Sequence, residues 1–129
     1  MVDLAGTWRF AALEGAEVEG ARRGTPWLTF DGDGQVFGLA GVNRVRGTWR
    51  LDADTLTFGP MACTLLAGPP DAMTREQQVL RLLGSPLTVA ALDGDTLELS
   101  GALRARLVRD TRAGDRSARR SGGAQRSGG

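Results

Sequence analysis

The sequence contains no histidine, tyrosine, lysine or isoleucine, and only one cysteine and one asparagine in 129 residues. Without histidine there is no Ser-His-Asp or Cys-His relay and no histidine-containing zinc site, because the usual general base and commonest metal ligand is missing. A lone Cys63 cannot close an internal disulfide, which excludes the disulfide-stapled scaffolds of small secreted domains. No apolar run approaches the roughly 18 residues that a membrane span requires. The opening Met1-Val2-Asp3-Leu4-Ala5-Gly6-Thr7-Trp8 has neither a basic n-region nor a long apolar stretch, so no export signal and a cytoplasmic location are expected. All sixteen basic residues are arginine. Together with the missing lysine and isoleucine, this reads as a GC-rich coding bias more than as a choice of chemistry.

Apolar residues are distributed unevenly. All 29 Leu, Val and Phe residues lie in residues 1–108, and from Arg109 to Gly129 there are none. Such a segment buries too little apolar surface to offset an ordering cost of roughly 1–2 kcal/mol per residue. It is expected to be a disordered Arg/Gly/Ser-rich tail, with 1–108 as the folded domain. Charge divides at the same boundary. Ten Arg against thirteen acids give the body a net −3, and six Arg against Asp110 and Asp115 give the tail +4. The tail is either a solvated extension or a loose electrostatic contact for a polyanion such as nucleic acid. It has no aromatics on which bases could stack.

The body reads as strands and turns. Three apolar pairs flank turn signals: Trp27-Leu28-Thr29-Phe30 and Gln35-Val36-Phe37-Gly38 around Asp31-Gly32-Asp33-Gly34, Val45–Leu51 and Thr55–Phe58 around Asp52-Ala53-Asp54, and Leu87–Leu92 and Thr96–Ser100 around Asp93-Gly94-Asp95. Val45, Gly47, Trp49 and Leu51 alternate with Arg46, Thr48 and Arg50, and Leu103, Ala105 and Leu107 alternate with Arg104 and Arg106, as one buried and one wet face require. With Trp8–Leu13 this makes about eight antiparallel strands, and Trp27 and Trp49 are expected inside. One segment has helical spacing instead. Met73, Val79, Leu80 and Leu83 form an apolar stripe that predicts a helix over 72–83, capped by Asp71 or by a Thr74–Gln77 box and ended by Gly84. Such a helix needs an apolar opening of the curled sheet to cover.

Reactive chemistry is sparse. Asp31-x-Asp33-Gly34 has its glycine at the wrong place for a calcium loop, and the twelfth position is Val42, not glutamate. The aspartates of the three turns are expected in solvent, where nothing tunes them into an acid–base pair. Cys63 has no histidine to activate it and is expected to be a buried, inert thiol. No glycine-rich phosphate loop precedes the helix. No metal or cofactor is therefore expected. Asn43, in Gly38-Leu39-Ala40-Gly41-Val42-Asn43-Arg44-Val45-Arg46-Gly47, is either the organiser of a turn or a ligand contact at a barrel mouth.

Taken in order, several motifs resemble the META domain, the HslJ-like family. They are Leu4-Ala5-Gly6-Thr7-Trp8, the Trp27–Gly34 run, Gly38–Arg44 with Gly47-Thr48-Trp49, Leu56–Gly68, and Leu97-Glu98-Leu99. The motif positions are Gly41, Asn43, Gly47, Met61, Ala62 and Thr64. The resemblance implies a mainly β (α+β) fold: a strongly curved antiparallel sheet, close to a small barrel, with one helix. It implies a non-enzymatic protein without family catalytic residues, associated with heat shock, drug resistance or virulence in relatives. Relatives usually carry a cysteine where this chain has Val42 and another where it has Gly68, and the loss of both together implies a dispensed pairing. The expected function is that of a stress-associated binding or accessory protein, monomeric, acting on an unknown protein partner or small ligand. The rivals are an apolar-ligand carrier using a barrel cavity and a nucleic-acid accessory acting through the tail.

Overall fold

The computed structural model describes residues 3–18 and 25–110. The elements run β1 (Gly6–Leu13), β2 (Ala16–Glu17), β3 (Trp27–Phe30), β4 (Gln35–Leu39), β5 (Arg44–Asp52), β6 (Thr55–Phe58), β7 (Ala62–Cys63), α1 (Pro70–Leu83), β8 (Leu87–Asp93), β9 (Thr96–Ser100) and β10 (Arg104–Arg109). The hydrogen-bonded order is β10-β9-β8-β6-β5-β4-β3-β1, and β1 pairs back to β10. Eight antiparallel strands therefore close into a barrel, with β2 appended to β1 and β7 to β5. The three turn signals sit where the sequence places them. Asp31 accepts the Asp33 and Gln35 amides at 2.9 Å each, and Asp93 accepts the Asp95 amide at 2.8 Å.

Side chains fill the interior. Trp8, Phe10, Leu28, Phe30, Val36, Leu56, Leu97, Leu99 and Leu107 are all at most 2% exposed, and α1 adds Val79, Leu82 and Leu83 to the same cluster. Strand parity decides which aromatics enter. In β3 the inward residues are Leu28 and Phe30, so Trp27 lies half-buried on the outer face, edge-on to Phe37 at 6.4 Å. Trp49 is on the inward row of β5 but only half-buried beside the β3–β4 turn, where its indole N–H reaches the Asp31 carbonyl at 3.2 Å. The tryptophan that fills the core is Trp8, whose indole N–H donates to the Leu4 carbonyl at 2.9 Å.

Two boundaries differ from the sequence reading. The helix starts at Pro70, with Pro69 as N-cap and no side-chain cap bond, so neither Asp71 nor a Thr74–Gln77 box caps it; the Thr74 hydroxyl donates to the Pro70 carbonyl instead. Proline at the first helical position suits a turn whose N–H would be unpaired anyway. At the other end, Arg109 belongs to the fold. It pairs with Trp8 across β10–β1, its guanidinium lies 4.2 Å above the Trp8 ring, and its Nη1 donates to the Ala5 carbonyl. The rest of the expected tail, from Thr111, lies outside the described residues. Among the described residues no helix is long and apolar enough to cross a membrane.

Candidate functional site

Around most of the barrel, neighbouring strands pair along several residues, but β6 meets β8 through two pairs, Thr55↔Thr88 and Leu56↔Leu87, with one further bond from the Val89 N–H to the Asp54 carbonyl at 2.8 Å. The chain leaves β6 and, after Gly59-Pro60-Met61, rejoins β5 as β7, pairing Ala62 with Arg46 and Cys63 with Val45. The helix is fastened at this junction. Its buried positions are Ala72, Glu76, Val79, Leu82 and Leu83; of the expected stripe Val79 and Leu83 are buried and Met73 and Leu80 half-buried, and one of the added positions is a carboxylate.

Glu76 is 6% exposed, and its carboxylate is fully engaged. Oε1 accepts the backbone N–H of Val42 at 2.9 Å and that of Asn43 at 2.6 Å, while Oε2 accepts the Asn43 side-chain amide at 2.8 Å. Burial works against its charge. The Asn43 side chain and the two backbone N–H groups outweigh that cost, so the carboxyl is held below its ordinary value. Asn43, 3% exposed, uses both ends of its amide. Nδ2 also donates to the Leu66 carbonyl at 3.0 Å, and Oδ1 accepts the Leu66 N–H at 2.6 Å and the Thr64 hydroxyl at 2.9 Å. The same hydroxyl accepts the Arg44 N–H at 3.0 Å. One asparagine thus ties the β4–β5 loop, the segment after β7 and the helix into a single knot.

The other motif positions surround this knot. A β-carbon at Gly41 would lie 2.7 Å from the Ala72 carbonyl oxygen and 2.9 Å from Glu76 Cβ, so glycine lets the loop touch the helix backbone. At Gly47 a β-carbon would collide with Met61 Sδ and sit 2.9 Å from the Pro60 carbonyl oxygen. Met61 is half-buried against the core, whereas Ala62 is exposed in β7. Gly41, Asn43, Gly47, Met61, Ala62 and Thr64 therefore converge on one junction. Val42 and Gly68 face each other there: a β-carbon at Gly68 would lie 3.4 Å from Val42 Cβ. Cys63 is exposed, contrary to expectation: it lies in a two-residue strand that, among the described residues, has a neighbour on one side only. The turn aspartates stay apart from the junction, and among the described residues no cluster of three metal-ligating side chains forms.

Glu76 is the participant that sequence reasoning missed. The available signal was its position: it falls four residues after Ala72 and three before Val79, on the face that the helix buries. Beside the knot, and sharing Thr64 with it, Phe37, Arg44, Val45, Arg46 and Ala62 line an open groove of about 520 Å³.

These features define a class: small, closed antiparallel β-barrels with one helix tied to the β4–β5 loop by a buried carboxylate. The META domain model matches residues 2–114, and the chain belongs to the META domain family. Solved structures of similar fold include an NMR structure of a protein from Burkholderia xenovorans, 20% identical with a TM-score of 0.68, covering 84% of each chain. Another NMR structure of a protein is 18% identical with a TM-score of 0.69, covering 84% of this chain and 96% of that one. A DUF4847 family protein from Bacteroides vulgatus is 15% identical with a TM-score of 0.59, covering 83% and 94%. At such identities the likeness is one of fold. No curated protein matches the chain.

Proposed function

We propose that this META domain is a non-enzymatic binding or accessory protein that works through its outer surface. One observation carries the reading. The most chemically distinctive groups, Glu76, Asn43 and Thr64, are spent on one another and on backbone, while Arg44 and Arg46 stand around an open groove on the other side of the same strands. A carboxylate stabilised in its charged form by three N–H donors is a poor proton shuttle at neutral pH. It is well suited to holding a shape. The interior positions of the barrel are taken by Trp8, Phe10 and Leu107 among others, which leaves the carrier alternative to be decided by titration with a hydrophobic fluorophore.

Cytoplasmic location, a monomeric state and the stress association of the family belong to the same proposal. Abundance of the protein before and after heat shock tests the last of these. The central test is cross-linking of the full-length chain in cells followed by mass spectrometry of the cross-linked peptides. A defined partner joined to the barrel surface supports the reading. Turnover of a small molecule that is abolished by a surface substitution, with no cross-linked partner, overturns it.

A further inference from the structure

Strand β7, Ala62–Cys63, is an edge strand of the sheet, and the chain stays bonded to β5 and its loop as far as Leu66. The Thr64 N–H donates to the Arg44 carbonyl at 3.1 Å, and both backbone groups of Leu66 are taken by Asn43. Alternation along the chain therefore turns the backbone N–H and C=O of Cys63 and Leu65 the opposite way, and among the described residues no strand lies on that side of β7. Leu65 is 94% and Leu66 63% exposed. An exposed edge with free main-chain groups is a template for another strand.

We propose that this edge takes an extended peptide of a partner protein by strand addition, the peptide alternating acidic and apolar residues. The inference rests on the binding reading above and names its surface. Charge sets one half of the pattern. Ala62 and Thr64 share the outer face with their register neighbours Arg46 and Arg44, whose guanidinium groups have no hydrogen bond or ion pair among the described residues. Ala62 is small, so the Arg46 side chain can reach across it to a carboxylate on an added strand. Alternate peptide residues would turn to the opposite side of β7, toward a second groove lined by Phe58, Met61, Leu80 and Leu83, which suits apolar side chains. The same charges argue against two other occupants. The chain's own residues 111–129 carry five Arg and one Asp, and a second copy pairing edge to edge would set Arg44 and Arg46 against their own kind.

The test uses the full-length protein and a fluorescein-labelled nine-residue peptide alternating glutamate and valine, with a lysine–valine peptide as control. The expected results are saturable binding of the acidic peptide only, and slowed exchange of the Cys63 and Leu65 amides in its presence. Arg44→Glu with Arg46→Glu should weaken binding at least tenfold and reverse the preference between the peptides. Leu65→Pro removes one edge N–H at an exposed position and should weaken binding at least tenfold while the melting temperature holds. Undiminished binding by Leu65→Pro, or unprotected Cys63 and Leu65 amides, overturns strand addition. Tighter binding of a twelve-residue oligothymidylate that depends on the same two arginines overturns the peptide as the occupant. If the acidic peptide is inert while cross-linking in cells finds a partner elsewhere on the barrel, the edge assignment fails and the binding function stands.

Discussion

The barrel has two seams that close by different means. Where β1 meets β10, backbone pairing runs from Trp8↔Arg109 to Leu13↔Ala105, and Arg109 covers the Trp8 ring from outside. Where β6 meets β8, the ladder is two residue pairs and one further backbone bond from the Val89 N–H to the Asp54 carbonyl, and the helix that leads into β8, held by its Asn43–Glu76 knot, adds Val79, Leu82 and Leu83 to the core. Main-chain hydrogen bonds are spread over many residues and survive most side-chain changes. A side-chain knot concentrates the same task in a few atoms. The second seam should therefore be the more sensitive to single polar substitutions, and the first to loss of apolar bulk.

The largest effect is expected at the first seam. Trp8 is 1% exposed, and Trp8→Ala should cost about 3–5 kcal/mol, the usual range for deleting a buried large aromatic. Trp49→Ala should cost clearly less, because that ring is only half-buried. Urea titrations of the two variants check the ranking. Equal losses would mean that the half-buried end of the inward row carries as much packing as the sealed core.

At the second seam, Asn43→Ala should cost about 2–4 kcal/mol, since it strips partners from Glu76, Thr64 and both backbone groups of Leu66. Asn43→Asp keeps the shape but sets a second carboxylate beside Glu76, so at neutral pH it should be worse than alanine and should recover in part on acidification. Thermal melts of both variants measure this. An Asn43→Ala protein as stable as wild type would show that the knot does not hold the helix.

The same seam should also be the acid-sensitive one. Glu76 is held below its ordinary value, so its contribution is fully present above the unfolded carboxyl pKa of about 4.3 and is lost as pH falls through its lower folded value. Glu76→Gln should be less stable than wild type at neutral pH, and the gap between them should narrow as the pH is lowered through that range. A constant gap across the acid range would assign the loss to packing and not to charge.

The contrast also explains what the sequence can and cannot disclose. The strands that meet at the first seam are built from local signals, although the seam itself joins the two ends of the fold, Trp8 to Arg109. Period-two alternation in Leu103–Leu107 and the Asp-Gly turn at 93–95 specify β9 and β10, and both are legible without a structure. The second seam depends on contacts 33 residues apart along the chain, between Asn43 and Glu76, and no local pattern pairs them. Asn43 stood out because it is the only asparagine, and its role as an organiser follows from its chemistry. Glu76 looked like one more charged residue on an amphipathic helix. Cys63 reads as interior by residue type, but it lies in a two-residue edge strand that leaves it exposed. Trp27 was misplaced by one step of strand parity, the error to which period-two patterns are most open.

A cross-link offers a way to strengthen the second seam without touching the knot. The β-carbon separation of 3.4 Å between positions 42 and 68 is close to that of natural disulfides, about 3.5–4.5 Å. Val42→Cys with Gly68→Cys, in a Cys63→Ser background, should oxidise readily and raise stability by up to about 2–3 kcal/mol by closing the intervening loop. Comparison of melts with and without reductant isolates the bond. Failure to oxidise would mean that the loop and the segment after β7 do not face each other in solution.

The smallest effect returns to the first seam and locates its end. A chain ending at Asp110 keeps the Arg109 guanidinium over Trp8, its hydrogen bond to the Ala5 carbonyl, and the bond from the Asp110 N–H to the Thr7 carbonyl at 2.8 Å. The residues removed, 111–129, contain no Leu, Val, Phe, Met or Trp, so their loss takes no large apolar group from the protein. The melting temperature should stay within about a degree, since even 1 kcal/mol would move a domain of this size by several degrees. A chain ending at Val108 differs by only two residues but loses the cation–π contact, the Arg109–Asp95 ion pair and four hydrogen bonds: the two just named, the one from the Arg109 N–H to the Asp95 carbonyl, and the one from Arg109 Nη2 to the Asp3 carbonyl. At this half-exposed position the loss should amount to about 1–2 kcal/mol, the cation–π part being about 0.5–1 kcal/mol. Paired melts of the two truncations read the difference directly. If both match the full-length chain, the ladder alone closes the seam and Arg109 is ornamental. If the longer one is also destabilised, residues beyond Asp110 contribute to the fold.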